Sequence, residues 1–186
     1  MSIDKNKSSI KKIIKGKNIS LRPAAPKDKR PIFEWLTNSD ISSNMIGPPL
    51  FPDLPVPDWQ EFVEDYPNYF FDDSKPLLGR CFIIVVNGEA IGQINHDVIA
   101  NNTTELDIWL KSSQYTGKGY GSDAIKTLCN YLKNKYNCTN FRIAPSKRNV
   151  AAVKAYEKAG FKITNDIPDD FVPDYDDAVL MIMELK

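Results

Sequence analysis

With 186 residues, 42% of them hydrophobic and 26% charged, the chain has enough apolar material for one sizeable core and too much for a mainly disordered protein. Its 24 basic and 24 acidic residues cancel, which removes the global field expected of a duplex nucleic-acid or membrane-surface binder, and no run approaches the roughly 20 apolar residues that span a bilayer. Cys81, Cys129 and Cys138 lack CxxC spacing, and the N-terminus lacks a signal-type apolar core, so reduced buried thiols, no metal site and a cytoplasmic location are expected.

Residues 1–12 open the chain as a basic, flexible arm, within a stretch to Lys17 that carries six lysines against one acid. Residues 13–186 read as a single domain. Asn18–Arg22 alternates and predicts a first strand stopped by Pro23; a helix follows from Lys27 to about Leu36, with Pro31 tolerated in its first turn. Gly47–Pro57, with five prolines, is an irregular loop, and Asp58 is the N-cap of a second helix through Trp59, Phe62 and Val63. The aromatics Trp59, Tyr66, Tyr69, Phe70 and Phe71 wall either an acceptor site or a core. Arg80–Val86, Asn87-Gly88 and Glu89–His96 form a hairpin on the strongest short turn signal, and Thr104–Leu110 is the next strand. A helix from Lys118 to Tyr136, a strand Phe141–Ala144, a helix Asn149–Ala159 and two strands, Phe161–Thr164 and Val179–Met183, complete the chain. The pattern is that of an α/β sandwich: a mixed sheet of six to seven strands with about four helices.

Chemistry concentrates at Gln114–Ser122, which reads Gln-Tyr-Thr-Gly-Lys-Gly-Tyr-Gly-Ser and opens directly into a helix. Such a turn leaves backbone N–H groups unpaired at the positive end of a helix dipole, and glycine admits both close approach and positive φ, so the segment suits a phosphate or pyrophosphate. The spacing is neither Gly-x-x-x-x-Gly-Lys-Ser/Thr nor Gly-x-Gly-x-x-Gly, which sets aside P-loop and dinucleotide readings. A plain tight loop is the competing explanation.

Downstream, Asn149, Ala152, Val153, Tyr156 and Gly160 fall at helical spacing before Phe161. Together the two segments resemble motifs A and B of the GNAT superfamily of acyl-CoA-dependent N-acetyltransferases: Gln/Arg-x-x-Gly-x-Gly/Ala, then Asn-x-x-Ala…Tyr-x-x-x-Gly-Phe. Thr116 stands where that family usually has Gln or Arg, with Gly119 and Gly121 as its glycines; a register starting at Gln114 also fits. The resemblance runs from about Ile13 to the C-terminus and implies the GNAT fold, a mostly antiparallel sheet, and acetyl-CoA as cofactor. It implies cofactor contacts from Thr116, Gly117, Lys118, Gly119, Tyr120, Gly121 and Ser122, from Asn149 and Tyr156, and from the backbone of Trp109, Leu110 and Lys111.

Acetyl transfer to an amine needs a base for the acceptor and an acid for the departing thiolate. Asp107, ten residues ahead of Gly117, resembles the catalytic aspartate of aminoglycoside 6'-N-acetyltransferase-like members and is the first candidate base. Alternation puts Glu105, Asp107 and Trp109 on one face and Leu106, Ile108 and Leu110 on the other. Glu105 is the second candidate, or a substrate anchor; a half-exposed polar strand residue is the bland alternative for Asp107. Tyr156 matches the family tyrosine near the cofactor sulfur, a phenol of pKa about 10 being suited to protonate a thiolate, with core packing as its alternative. Asn149 also suits an N-cap. His96 is structural or acceptor-facing. An acidic stretch from Asp166 to Asp177 without a Lys or Arg suits attraction of a polycation or a solvated surface. One departure weakens the drug-modifying resemblance: Ala144-Pro145 stands where related enzymes often have Asp-Pro. The expectation is therefore an N-acetyltransferase acting on a small polycationic primary amine, aminoglycoside-like or polyamine-like, as monomer or homodimer. A ribosomal-protein-type N-terminal acetyltransferase and a non-catalytic CoA-binding sensor are the alternatives.

Overall fold

The computed structural model describes residues 13–42, 57–99, 102–174 and 176–186; the N-terminal arm and nearly all of the Gly47–Pro57 loop lie outside the described residues. Strands β1 (Ile14–Lys15), β2 (Ser20–Pro23), β3 (Gly79–Val86), β4 (Glu89–Ile99), β5 (Thr103–Leu110), β6 (Asn140–Ile143), β7 (Lys162–Ile163) and β8 (Met181–Glu184) form one sheet in the order β1-β2-β3-β4-β5-β6-β8-β7. All neighbours are antiparallel except β5 and β6. Among the described residues four helices flank it: α1 (Lys29–Asn38), α2 (Trp59–Asp65), α3 (Tyr120–Tyr136) and α4 (Val150–Ala159).

Local chemistry accounts for the element ends. Asn87 (φ 49°) and Gly88 (φ 84°) take the left-handed conformations that join β3 to β4 with matching twist. Asp58 caps α2 by accepting from the N–H groups of Gln60 and Glu61 at 2.7 and 2.9 Å, while Glu61 accepts from the Asp58 N–H at 2.8 Å. Pro23 ends β2 inside the sheet, paired with Phe82; β1 reaches only Ser20 and Leu21, so its missing N–H deprives no neighbour. A 3₁₀ turn at Pro26–Asp28 delays α1 by two residues relative to the sequence expectation, and the glycine turn delays α3 likewise, to Tyr120.

The alternation of each strand separates two cores. Ile84, Ile94, Leu106, Phe141 and Phe161 pack with Ile125, Leu128 and Leu132 of α3 on one side of the sheet. Ile83, Cys81 and Trp109 pack with Ile32 of α1, Phe62 of α2 and the aromatics Tyr66, Phe70 and Phe71 on the other. Each fully buried Leu or Ile contributes about 1.5–3 kcal/mol, so the α3 face alone fixes that helix to the sheet. A bulge interrupts the β3–β4 ladder: Ile84 pairs with Gly92 and Val85 with Ala90, leaving Ile91 over. Gly92 is required there, because a Cβ would stand 2.4 Å from the Trp109 carbonyl oxygen.

Candidate active site

Strand β5 pairs with β4 along its whole length, from Thr103 with Ile99 to Leu110 with Gly92. Its other edge pairs with β6 only from Thr103 to Glu105. From Leu106 to Leu110 that edge has no strand partner among the described residues, so the sheet splits open beside the turn that leads into α3. Beyond Leu110 the chain is tied down by Lys111 Nζ and the Tyr115 hydroxyl, both donating to Glu89 at 2.7 Å, and by the Ser113 N–H and hydroxyl, both donating to Asp40. Thr116 donates to the Ser113 carbonyl at 2.7 Å, which folds its hydroxyl back into the turn.

Two of the three glycines take positive φ, Gly117 at 71° and Gly119 at 82°; Gly121 is helical and keeps α3 close to Ile108. Gly119 occupies the N-cap position and supplies no side-chain cap, and the Ser122 hydroxyl donates back to the Gly119 carbonyl at 3.0 Å. The N–H groups of Tyr120, Gly121 and Ser122 consequently have no hydrogen-bond partner among the described residues. Open space stands where Cβ atoms of residues 117 and 119 would lie. Lys118 is exposed and Tyr120 half-buried against the α3-side core. At the next helix, the Asn149 side chain accepts from the Ala152 N–H at 3.2 Å and so is the N-cap of α4, while Tyr156 is half-buried against the same core. The Lys111 N–H is donated to Ile91 O at 2.8 Å, so this amide is already committed within the sheet.

On the opposite side of the sheet, Asp107 presents its carboxylate at the surface beside Tyr66 and Gln93. Solvent reaches its side chain although protein surrounds it on most sides, and that burial, with the charges of Asp174 and Glu105, pushes its pKa up to about 6 against the lowering effect of a hydrogen bond from Tyr66. The Tyr66 hydroxyl donates to Asp107 Oδ2 at 3.0 Å, Asn95 Nδ2 donates to the Tyr66 oxygen at 3.0 Å, and Gln93 Nε2 lies 3.5 Å from Oδ2. Asp97, next along β4 on the same face and paired with Glu105, is likewise raised to about 6, by burial and then by Glu105 and Asp107. Asp174 is raised by burial and by Asp65. Asp107 therefore feels the charges of Asp174 and Glu105, and Asp97 those of Glu105 and Asp107.

Glu105 is held differently: Arg142 Nε lies 3.0 Å from its carboxylate and Arg142 Nη1 3.2 Å from Asp170, which straps the acidic segment to β5. Asp177 is drawn away by Arg148 and Ser146, whose hydrogen bonds lower it to about 2. The acidic run thus divides, with Asp174 alone among these contributing charge at Asp107. His96 is buried on the α3 side beside Phe82, and desolvation lowers it to about 4; it lies on the opposite face of the sheet from Asp107. Trp109 is buried in the aromatic cluster, 5.9 Å from the Tyr66 ring. Gln93, Asn95 and Asp97 escaped sequence reasoning as site residues, and Tyr66 was read only as a wall of an acceptor site or a core; alternation along Glu89–Asp97, with Gln, Asn and Asp at every second position, was the available signal for the β4 residues.

Among the described residues no group of His, Cys, Asp or Glu has the arrangement to hold a metal ion, and no helix is long and apolar enough to cross a membrane. The family model for an acetyltransferase (GNAT) domain matches residues 18–162. Among curated relatives, aminoglycoside N(6')-acetyltransferase type 1 of Klebsiella pneumoniae is 27% identical over 158 residues, covering 78% of this chain and 74% of that protein. Spermidine N(1)-acetyltransferase of Escherichia coli K12 is 25% identical over 162 residues, covering 83% and 78%. The solved structure of AAC(6')-Ib in complex with ribostamycin and coenzyme A superposes with a TM-score of 0.71 at 24% identity, covering 90% of this chain and 94% of that one.

Proposed function

The chain belongs to the GNAT acetyltransferase family, and from that premise we propose that it moves an acetyl group from acetyl-CoA to a primary amine of a small polycationic acceptor, aminoglycoside-like or polyamine-like, with Asp107 as general base. The residues at the head of α3 suit the cofactor: three unpartnered N–H groups converge at a helix N-terminus, and positive-φ glycines leave the approach clear of side chains. Gly117 to Ser122 would hold its pyrophosphate, and the unpaired edge of β5 at Trp109 and Leu110 its pantetheine arm. When bound, acetyl-CoA supplies an acetyl group activated as a thioester.

The remaining work falls to the protein's own side chains. An acceptor amine enters as an ammonium and must lose a proton before it can attack a carbonyl. Asp107, with a pKa near 6, is ionised at neutral pH yet basic enough to take that proton, directly or through water. Glu105 is less suited, because its carboxylate is already engaged in the ion pair with Arg142. Tyr156 is the proposed acid.

One observation carries the choice of acceptor: Asp97, Asp107 and Asp174 are each raised by burial, with Asp174 acting on Asp107 and Asp107 on Asp97, an arrangement that multiple ammonium groups would relieve. The relatives named for aminoglycoside and spermidine acetylation support the same class. The test is release of free CoA across kanamycin-type aminoglycosides, spermidine, spermine, simple monoamines and peptides with a free N-terminus. Turnover should concentrate on the polycations; acetylation confined to peptides or monoamines would overturn the acceptor assignment.

A further inference from the structure

Asp107 does not stand unsupported. The Tyr66 ring is stacked on Phe62 (centroids 4.6 Å apart, planes 11° apart) and meets Phe70 and Trp109 edge-on at 5.7 and 5.9 Å. A tyrosine locked by three aromatic neighbours has one place for its hydroxyl, and there the hydroxyl meets Asn95 and Asp107, cross-strand partners in β4 and β5. Because Asn95 Nδ2 occupies the phenolic oxygen as a donor, the phenolic hydrogen is directed to Asp107 Oδ2. Gln93 approaches the same oxygen and is itself fixed by the Cys81 thiol, which donates to Gln93 Oε1 at 3.3 Å. Asn95 and Gln93 are both buried, so neither substitutes water for these bonds readily. Both side-chain donors that reach Asp107 among the described residues, Tyr66 and Gln93, land on Oδ2 and no side chain donates to Oδ1, while the Ile108 N–H also acts on the carboxylate.

We infer that Tyr66 is the positioning residue of the general base: oriented by Asn95 and held by the aromatic cluster, it fixes Asp107 through Oδ2 and leaves Oδ1 as the atom that receives the acceptor proton. The inference rests on the acetyltransferase reading above. It also gives α2 and its flanking aromatics a polar role, since they hold the Tyr66 hydroxyl against the base. Removing that hydroxyl removes a hydrogen bond to the charged carboxylate, so the carboxylic acid form gains and the Asp107 pKa rises.

The test is Tyr66→Phe, which keeps the aromatic stack. The Asp107 carboxyl is titrated in the free protein by carbon-13 NMR with aspartate labelling, assigned by its loss in Asp107→Asn, and kcat/KM for spermidine and a kanamycin-type aminoglycoside is followed against pH. The carboxyl should titrate roughly one pH unit higher, the shift of one lost charge-assisted hydrogen bond, with the acid limb of kcat/KM moving by the same amount. In an Asp107→Asn background the same Tyr66→Phe change should leave kcat unaltered, since nothing remains to position. An unmoved or lowered carboxyl pKa in folded Tyr66→Phe, or a further loss of kcat in the Asp107→Asn background, overturns the inference. A carboxyl that moves while the acid limb stays put supports the Tyr66 contact and refutes Asp107 as the base, so the two failures are distinguishable.

Discussion

Gly119 and Gly88 provide a matched pair. Both sit at positive φ, 82° and 84°, and at both a Cβ would meet nothing within 4 Å. Alanine at either position therefore clashes with no neighbour, and the structural cost reduces to forcing an L-residue into the left-handed region, about 1–2 kcal/mol. For a domain of this size that is a Tm decrease of roughly 2–8 °C in each variant. The functional consequences should diverge. Gly88 turns the β3–β4 hairpin, whereas Gly119 caps the end of α3 where the N–H groups of Tyr120, Gly121 and Ser122 stand open. A methyl group over those amides obstructs an approaching pyrophosphate, and loss of one hydrogen bond to a charged group, about 1.5–3 kcal/mol, weakens binding roughly 10- to 150-fold. Differential scanning fluorimetry and calorimetry with coenzyme A read both quantities. Gly88→Ala should bind coenzyme A as the parent does, while Gly119→Ala should bind at least tenfold more weakly. Equal coenzyme A affinity in the two variants would refute the anion site at this turn.

The raised Asp107 makes the carboxylate form available above about pH 6, so kcat/KM should fall tenfold per pH unit below that value; a profile flat to pH 4.5 would contradict it. Asp97 is raised in the folded protein above its unfolded value, so its ionisation costs stability as pH rises from about 4 through 6. Asp97→Asn should accordingly raise Tm at pH 7.5, show little difference at pH 4, and raise KM for polycations more than for monoamines; a lowered Tm at pH 7.5 would count against the repulsion. All three cysteines are buried, with burial pushing the Cys81 and Cys129 thiols far up, so Ellman's reagent should find less than one reactive thiol in the native protein and three in guanidinium.

Much of the fold could be read from local signals because its boundaries are chemically marked. Asn87-Gly88, the Asp58 cap, the Asn149 cap and Gly160 at φ 116° each impose a conformation on their own neighbourhood, and alternation in β5 correctly separated Leu106, Ile108 and Leu110 from Glu105, Asp107 and Trp109. Pairings distant in sequence were not legible. Tyr66 meets Asp107 across 41 positions because α2 packs on the sheet, and no periodicity encodes that meeting. Arg142 claims Glu105 through the short parallel pairing of β5 with β6, whose register depends on how α3 returns the chain. The acidic segment looked like one uncompensated run, yet Arg142 binds Asp170 and Arg148 binds Asp177, and only the tertiary arrangement tells Asp174 from Asp170 and Asp177. The split between β5 and β6, which opens the sheet beside the glycine turn, follows from β6 being four residues long against eight in β5.

The most direct test of the whole account compares the parent protein with Asp107→Asn in one pair of measurements: free CoA released from acetyl-CoA in the presence of spermidine or a kanamycin-type aminoglycoside, and coenzyme A affinity by calorimetry. The parent should release CoA with at least one of these acceptors, and the variant should lose roughly 10²–10⁴-fold in kcat, the range of a general base, while binding coenzyme A unchanged. Undiminished turnover in Asp107→Asn, or no release by the parent with any polycation despite firm coenzyme A binding, would contradict it.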